Sequence, residues 1–205
     1  MSSNAIKLLA LSGSTRTDSL NKRLLRAVVD LVPAGSAQVN LIDLRDYPLA
    51  LFDGDLEEQE GIPAHAMTLK QLFMDADALL ISTPEYNTSL PAVLKNAIDW
   101  ISRPVPDQTW LAGISGQVLG AMSASPGSTG GMSALAHLRQ MFSNLGAIVV
   151  PGFTACPNAG AAFADDGGFA NEAQRALFAG FLEQVLSLAS WRAGRTGSAD
   201  AGDAQ

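Results

Sequence analysis

Short apolar runs alternate along the chain with stretches in which apolar residues recur at helical spacing. Ala5 to Leu11 reads as a buried strand, and Leu20, Leu24, Leu25, Val28 and Leu31 mark a helix that Pro33-Ala34-Gly35 ends. Ala37 to Leu44 interleaves Val39, Leu41 and Leu44 with polar residues, which predicts a second strand. Arg45 to Gly61 reads as a polar, acidic loop. His65 to Ala76 predicts a helix, Ala78 to Thr83 a strand, and Ala92 to Ile101 a short helix after Pro91. Gln117 to Ser123 is the fourth predicted strand, Met132 to Leu145 the next helix, Ala147 to Val150 the fifth strand and Glu172 to Trp191 a long last helix. Beyond Arg192 the apolar pattern stops, so the expectation is one domain over 1–193 and a disordered tail over 194–205. The alternation implies an α/β three-layer sandwich around a five-stranded parallel sheet of order 2-1-3-4-5. In such sheets ligands bind outside the carboxyl ends of the strands, at the switch point.

Composition narrows the function without naming it. A chain of 205 residues with 47% hydrophobic and 16% charged residues can fill one core. A net charge of −7 argues against a nucleic-acid partner, because no basic stripe is present to neutralise phosphates. The lone Cys156, between Ala155 and Pro157, has no activating neighbour and reads as a buried structural thiol in a reducing cytoplasm. No apolar stretch is long enough for a membrane helix, and Met1-Ser2-Ser3-Asn4 lacks the basic start of a signal peptide. Asn87-Thr88-Ser89 matches a glycosylation acceptor, a chance match in a cytoplasmic chain. His65 and His137 stand apart from any cysteine or carboxylate spacing, so no metal site is expected.

The carboxyl ends of three strands carry the chemistry. Ser12 to Asn21 follows the first strand and opens the first helix, where unpaired N–H groups and the helix dipole favour an anion. Ser14, Thr15 and Ser19 add hydroxyl donors, and Arg16 can fork two N–H groups onto phosphate oxygens. The loop lacks the Lys-Ser/Thr ending of the nucleotide triphosphate loop and the second and third glycines of G-x-G-x-x-G, which leaves a monophosphate site. Thr83 to Pro91 follows the third strand, stiffened by two prolines, and Ser123 to Gly131 is a glycine-rich loop after the fourth. A flat aromatic ligand needs such a boundary, with backbone at its polar edge and stiff walls at its faces. On helix faces, Lys95 and Asp99 read as a surface pair, and Trp100 and Ile101 as packing residues.

Three segments, SGSTRTDSLN at 12–21, PEYNTSLPAVLKNAIDWISRP at 84–104 and SASPGSTGGMSALAHLRQ at 123–140, make the chain resemble the NADPH-dependent FMN reductase family, whose relatives reduce quinones, chromate and azo dyes. The resemblance implies a flavodoxin-like fold, bound FMN, NADPH or NADH as co-substrate, a small-molecule acceptor and a homodimer or homotetramer. By position, Ser14, Arg16, Ser19 and Asn21 would hold the FMN phosphate, and Leu20 would also belong to the cofactor site. Pro84, Glu85, Tyr86 and Asn87 would line the ribityl chain and ring, largely through backbone groups. Ser125, Gly127 and Gly130 would close the opposite side, and Arg103 would meet the NADPH 2′-phosphate. The family often has Lys-Pro entering the fourth strand, where this chain has Gln117-Val118. Hydride would pass from nicotinamide to flavin and on to an acceptor stacking in the same place, which predicts ping-pong kinetics. Negative charge on reduced flavin would meet N–H groups at the start of the helix after Gly131. A flavodoxin-like one-electron carrier without nicotinamide turnover is the alternative. A receiver-like module fits poorly, since Leu11-Ser12 and Ser82-Thr83 lack its acidic cluster.

Overall fold

The computed structural model describes residues 5–199. Strands β1 (Ile6–Ser12), β3 (Ala78–Thr83) and β4 (Val118–Ala124) form the centre of a parallel sheet. β2 (Ala37–Asp43) lies on one edge, and two short strands, β5 (Ile148–Val149) and β6 (Ala155–Cys156), both pair with β4 on the other. The order is β2-β1-β3-β4-β5, as the apolar pattern predicts. Helices α1 (Leu20–Val29), α2 (Gly54–Glu60), α3 (Ala64–Asp75), α4 (Ala92–Ile101), α5 (Met132–Asn144) and α6 (Glu172–Ala199) complete the described chain.

Alternate residues of each strand enter different cores, because side chains of a strand point to opposite faces. Leu8 and Ala10 pack with Leu24 and Val28 of α1 and with Phe181 and Val185 of α6. Leu9 and Leu11 pack with Leu69 of α3, Ile98 of α4 and Leu138 of α5. Gly120 permits the close approach of α6: a Cβ there would lie 2.7 Å from Val185 Cγ2 and 3.0 Å from Leu80 Cδ1.

Three departures from the sequence expectation have local causes. The fifth strand is split, so six strands are present among the described residues where five are expected: the chain leaves the sheet after Val149 and returns at Ala155. Arg139 of α5 donates to the carbonyls of Val150 and Gly152, each at 2.6 Å, replacing ladder partners in the gap. The segment from Arg45 to Gly61 contains α2, which buries none of its residues and so lacks an apolar stripe to announce it. The last helix runs to Ala199, past residue 194 where an unstructured tail is expected to begin; 200–205 lie outside the described residues.

Candidate functional site

Helix α1 begins where β1 ends, and its N-cap is Ser19, whose Oγ accepts from the N–H groups of Asn21 at 3.2 Å and Lys22 at 3.4 Å. The N–H groups of Ser14, Thr15 and Leu20 have no partner among the described residues, which leaves them for an anion. Ser14 Oγ accepts from the Arg16 N–H at 3.3 Å and orders the turn. The Arg16 side chain is exposed and makes no ion pair among the described residues.

A cavity of about 90 Å³ gathers Ser14, Arg16, Ser19, Leu20, Asn21, Pro84, Glu85, Tyr86 and Ser125, together with Ala124 and Pro126. Nine of the twelve expected cofactor residues therefore line one crevice across the carboxyl ends of β1, β3 and β4. The cavity is of phosphate size, and its donor set of helix N-terminus, three serine hydroxyls and a guanidinium suits a phosphate dianion. A larger cavity of about 620 Å³ lies at the other end of the sheet, between the start of β1, the turn at Pro33 and α6, with Glu183 as its one charged lining residue.

The loop after β3 is a hairpin. Tyr86 and Ser89 exchange two backbone hydrogen bonds of 3.1 Å across a two-residue tip, Asn87 at φ 50° and Thr88 at φ 61°. Asn tolerates that region, but a β-branched Thr there stores strain on the order of 1–3 kcal/mol. Tyr86, about half exposed, is held at the mouth of the crevice by this turn. Both Tyr86 backbone groups are committed, whereas the N–H and C=O of Glu85 and the N–H of Asn87 have no partner among the described residues. Ser89 Oγ lies 3.1 Å from His137 Nδ1 and ties the hairpin to α5.

Several expected roles change once the partners are seen. The Asn21 amide is a clamp: Oδ1 accepts from Ser82 Oγ and the Ala124 N–H, and Nδ2 donates to the Ala124 carbonyl, all at 2.9 Å. It fastens α1 to β3 and β4 rather than reaching for phosphate. The Glu85 carboxylate caps α5, with Oε2 accepting from Ser133 N at 2.8 Å and Ala134 N at 3.1 Å. Those N–H groups are thereby withdrawn from the role of stabilising negative charge on a reduced ring. Gly130 (φ 66°) faces β6: an added Cβ would sit 2.8 Å from Pro157 N and 2.9 Å from Cys156 C, both backbone. Gly130, Gly127 and Asn87 do not line the cavity. Arg103 is engaged by Glu57, with Nε 2.8 Å from the carboxylate, and its guanidinium lies over Phe52 at 5.2 Å. These contacts tie it to α2, and it does not line the crevice.

Other positions take the structural readings. Gln117 Nε2 donates to the carbonyls of Phe73 and Ala76 at 2.9 and 2.8 Å and caps α3, at the amino end of β4 and away from the crevice. Lys95 and Asp99 pair at 2.6 Å. Trp100 and Ile101 are buried, and the Trp100 indole donates to the Ala50 carbonyl at 2.8 Å. Burial pushes the Cys156 thiol up to about 11, only partly opposed by the Gln174 amide that donates to it. Among the described residues, no group of three or more His, Cys, Asp or Glu is placed to hold a metal ion, and no helix is long and apolar enough to cross a membrane. Sequence reasoning missed Arg45, which holds the phosphate loop from the end of β2. Its signal is faint, a basic residue directly after a predicted strand.

The doubly wound order β2-β1-β3-β4-β5, with a crevice across the carboxyl ends of β1, β3 and β4, defines a flavodoxin-like fold. The profile of the family described as NADPH-dependent FMN reductase matches residues 6–161, and the chain belongs to that family. It is 39% identical over 146 residues to a 2-hydroxy-1,4-benzoquinone reductase of Burkholderia sp, covering 71% of this chain and 75% of that protein. It is 38% identical over 149 residues to a quinone reductase of Escherichia coli strain K12, covering 72% and 75%. The flavoenzyme NAD(P)H:(acceptor) oxidoreductase FerB from Paracoccus denitrificans superposes with a TM-score of 0.78 at 27% identity, over 92% of this chain and 99% of that one.

Proposed function

We propose that this chain is an FMN-dependent oxidoreductase that passes hydride from NAD(P)H to quinones or similar small acceptors. The observation that carries this reading is the convergence, in a member of this family, of the α1 N-terminus, Ser14, Ser19 and the unpaired Arg16 with the Pro84–Tyr86 wall on one crevice. Bound FMN supplies two-electron transfer at its ring, so the chain needs no catalytic triad. Arg16, with the Ser14 and Ser19 hydroxyls and the free loop N–H groups, holds the phosphate. The free backbone groups of Glu85 and Asn87 serve the polar edge of the ring. Pro84 and Pro126 make rigid walls, and Tyr86 screens the mouth from water. The Glu85 carboxylate fixes the loop that carries these groups and transfers no proton.

A homodimer or homotetramer fits the exposure of Leu51, Trp110 and Phe153, at 75%, 75% and 58%. A cytoplasmic setting fits the single, buried, unpaired Cys156. Arg16→Ala tests the phosphate assignment. FMN binding, followed by quenching of flavin fluorescence, is expected to weaken by about 1.5–3 kcal/mol, the worth of hydrogen bonds to a charged group. Unchanged affinity would remove Arg16 from the site.

A further inference from the structure

Arg45 stands at the end of β2, outside the crevice, yet three of its hydrogen bonds end on the phosphate loop. Nε donates to the Thr15 carbonyl at 3.1 Å, Nη2 donates to the same carbonyl, and Nη2 also donates to Thr17 Oγ1 at 3.1 Å. Arg45 is itself held in place. Its backbone N–H donates to Asp43 Oδ1 at 3.0 Å, and the other oxygen of that carboxylate accepts from Lys22 Nζ. Lys22 is nearly buried on α1, the helix whose N-terminus faces the phosphate site. The chain of contacts is closed: from α1 through the Lys22–Asp43 pair to the end of β2, and from Arg45 back to the loop that opens α1.

We propose that Arg45 is a positioning residue of the phosphate site, fastening the 15–17 turn in the shape that presents Arg16 to the anion. The inference rests on the FMN reading of that site. In a trans peptide the C=O and N–H point in opposite directions. The peptide between Thr15 and Arg16 is pinned on both sides, its carbonyl by Arg45 and its N–H by Ser14 Oγ. The Arg16 backbone is therefore set before any ligand arrives. Thr15, Arg16, Thr17 and Asp18 are all exposed, so no core packing does this in Arg45's place. A turn already ordered loses less entropy on binding, which is the gain of preorganisation. A guanidinium suits the task because its planar fork reaches two acceptors at once, where an ammonium offers one point of charge.

The test titrates apoprotein with FMN and, separately, with riboflavin, which shares the ring but lacks the phosphate. Arg45→Ala is expected to weaken FMN roughly tenfold, the equivalent of one hydrogen bond to a charged group, and to leave riboflavin within about twofold. Arg45→Lys should recover part of the loss, and Asp43→Asn should move FMN affinity in the same direction by less. Should Arg45→Ala fold poorly, Thr17→Val removes one of the three bonds with little change of volume and should give a smaller loss confined to FMN. Equal weakening of both flavins would reduce Arg45 to a general structural role and overturn the proposal, as would unchanged FMN affinity. A wild-type protein that binds riboflavin as tightly as FMN would overturn the phosphate reading itself, and the Arg45 inference with it.

Discussion

A helix start needs acceptors for its first N–H groups, and α5 has no side-chain cap of its own because its N-cap is Gly131. Glu85 supplies one from the other side of the crevice and so couples the ring-side wall to the helix. Glu85→Ala should destabilise the apoprotein by about 1–2 kcal/mol, the usual cost of losing a cap. In a domain of this size that lowers Tm by roughly 2–8 °C. Glu85→Gln keeps an acceptor and should recover most of the loss; thermal unfolding of the three proteins decides. Placements that depend on local structure alone were legible in the sequence. Ser14, Arg16 and Ser19 sit within one strand–loop–helix passage whose physics is self-contained. Asn21, Glu85 and Arg103 were not, because their partners lie 103, 48 and 46 positions away, and no periodicity or motif reports such pairings.

Elements with a clean apolar pattern were placed within a residue or two. Ala78–Thr83 and Ala92–Ile101 match the expected bounds, since six consecutive buried residues and a stripe facing the core leave little freedom. α2 escaped because an exposed helix has no stripe, and the split of β5 from β6 depends on Arg139 arriving from α5. Packing between elements gives a sharp expectation at Gly120. A methyl there meets Val185, whose branched side chain is stiff in a helix, as well as Leu80 and Phe181. Gly120→Ala should destabilise the fold by about 1–3 kcal/mol through overpacking, read as a lower urea midpoint with unchanged slope. A variant as stable as wild type would show that α6 is free to shift outward.

At the scale of the molecule, the parallel order and its crossovers bring three loops, remote in sequence, to one end of the sheet. At one end of the crevice, the proposed phosphate end, Asn21 fastens the start of α1, and Arg45 bonds the loop before it from just past β2. At the other end, the proposed ring end, a hairpin is tied to α5 by Glu85 and by the Ser89–His137 contact. In the proposed function this crevice holds the FMN and leaves the exposed face of its ring to a donor or acceptor that stacks there. That arrangement requires the two substrates to use one place in turn. The direct test is an anaerobic mixing experiment on the FMN-loaded protein, with flavin absorbance near 450 nm as the signal. NADPH alone should bleach the bound flavin in one phase, and a quinone added afterwards should restore the colour with no NADPH present. Flavin that binds but is not bleached by NADPH or NADH would contradict the account and leave an electron carrier in its place.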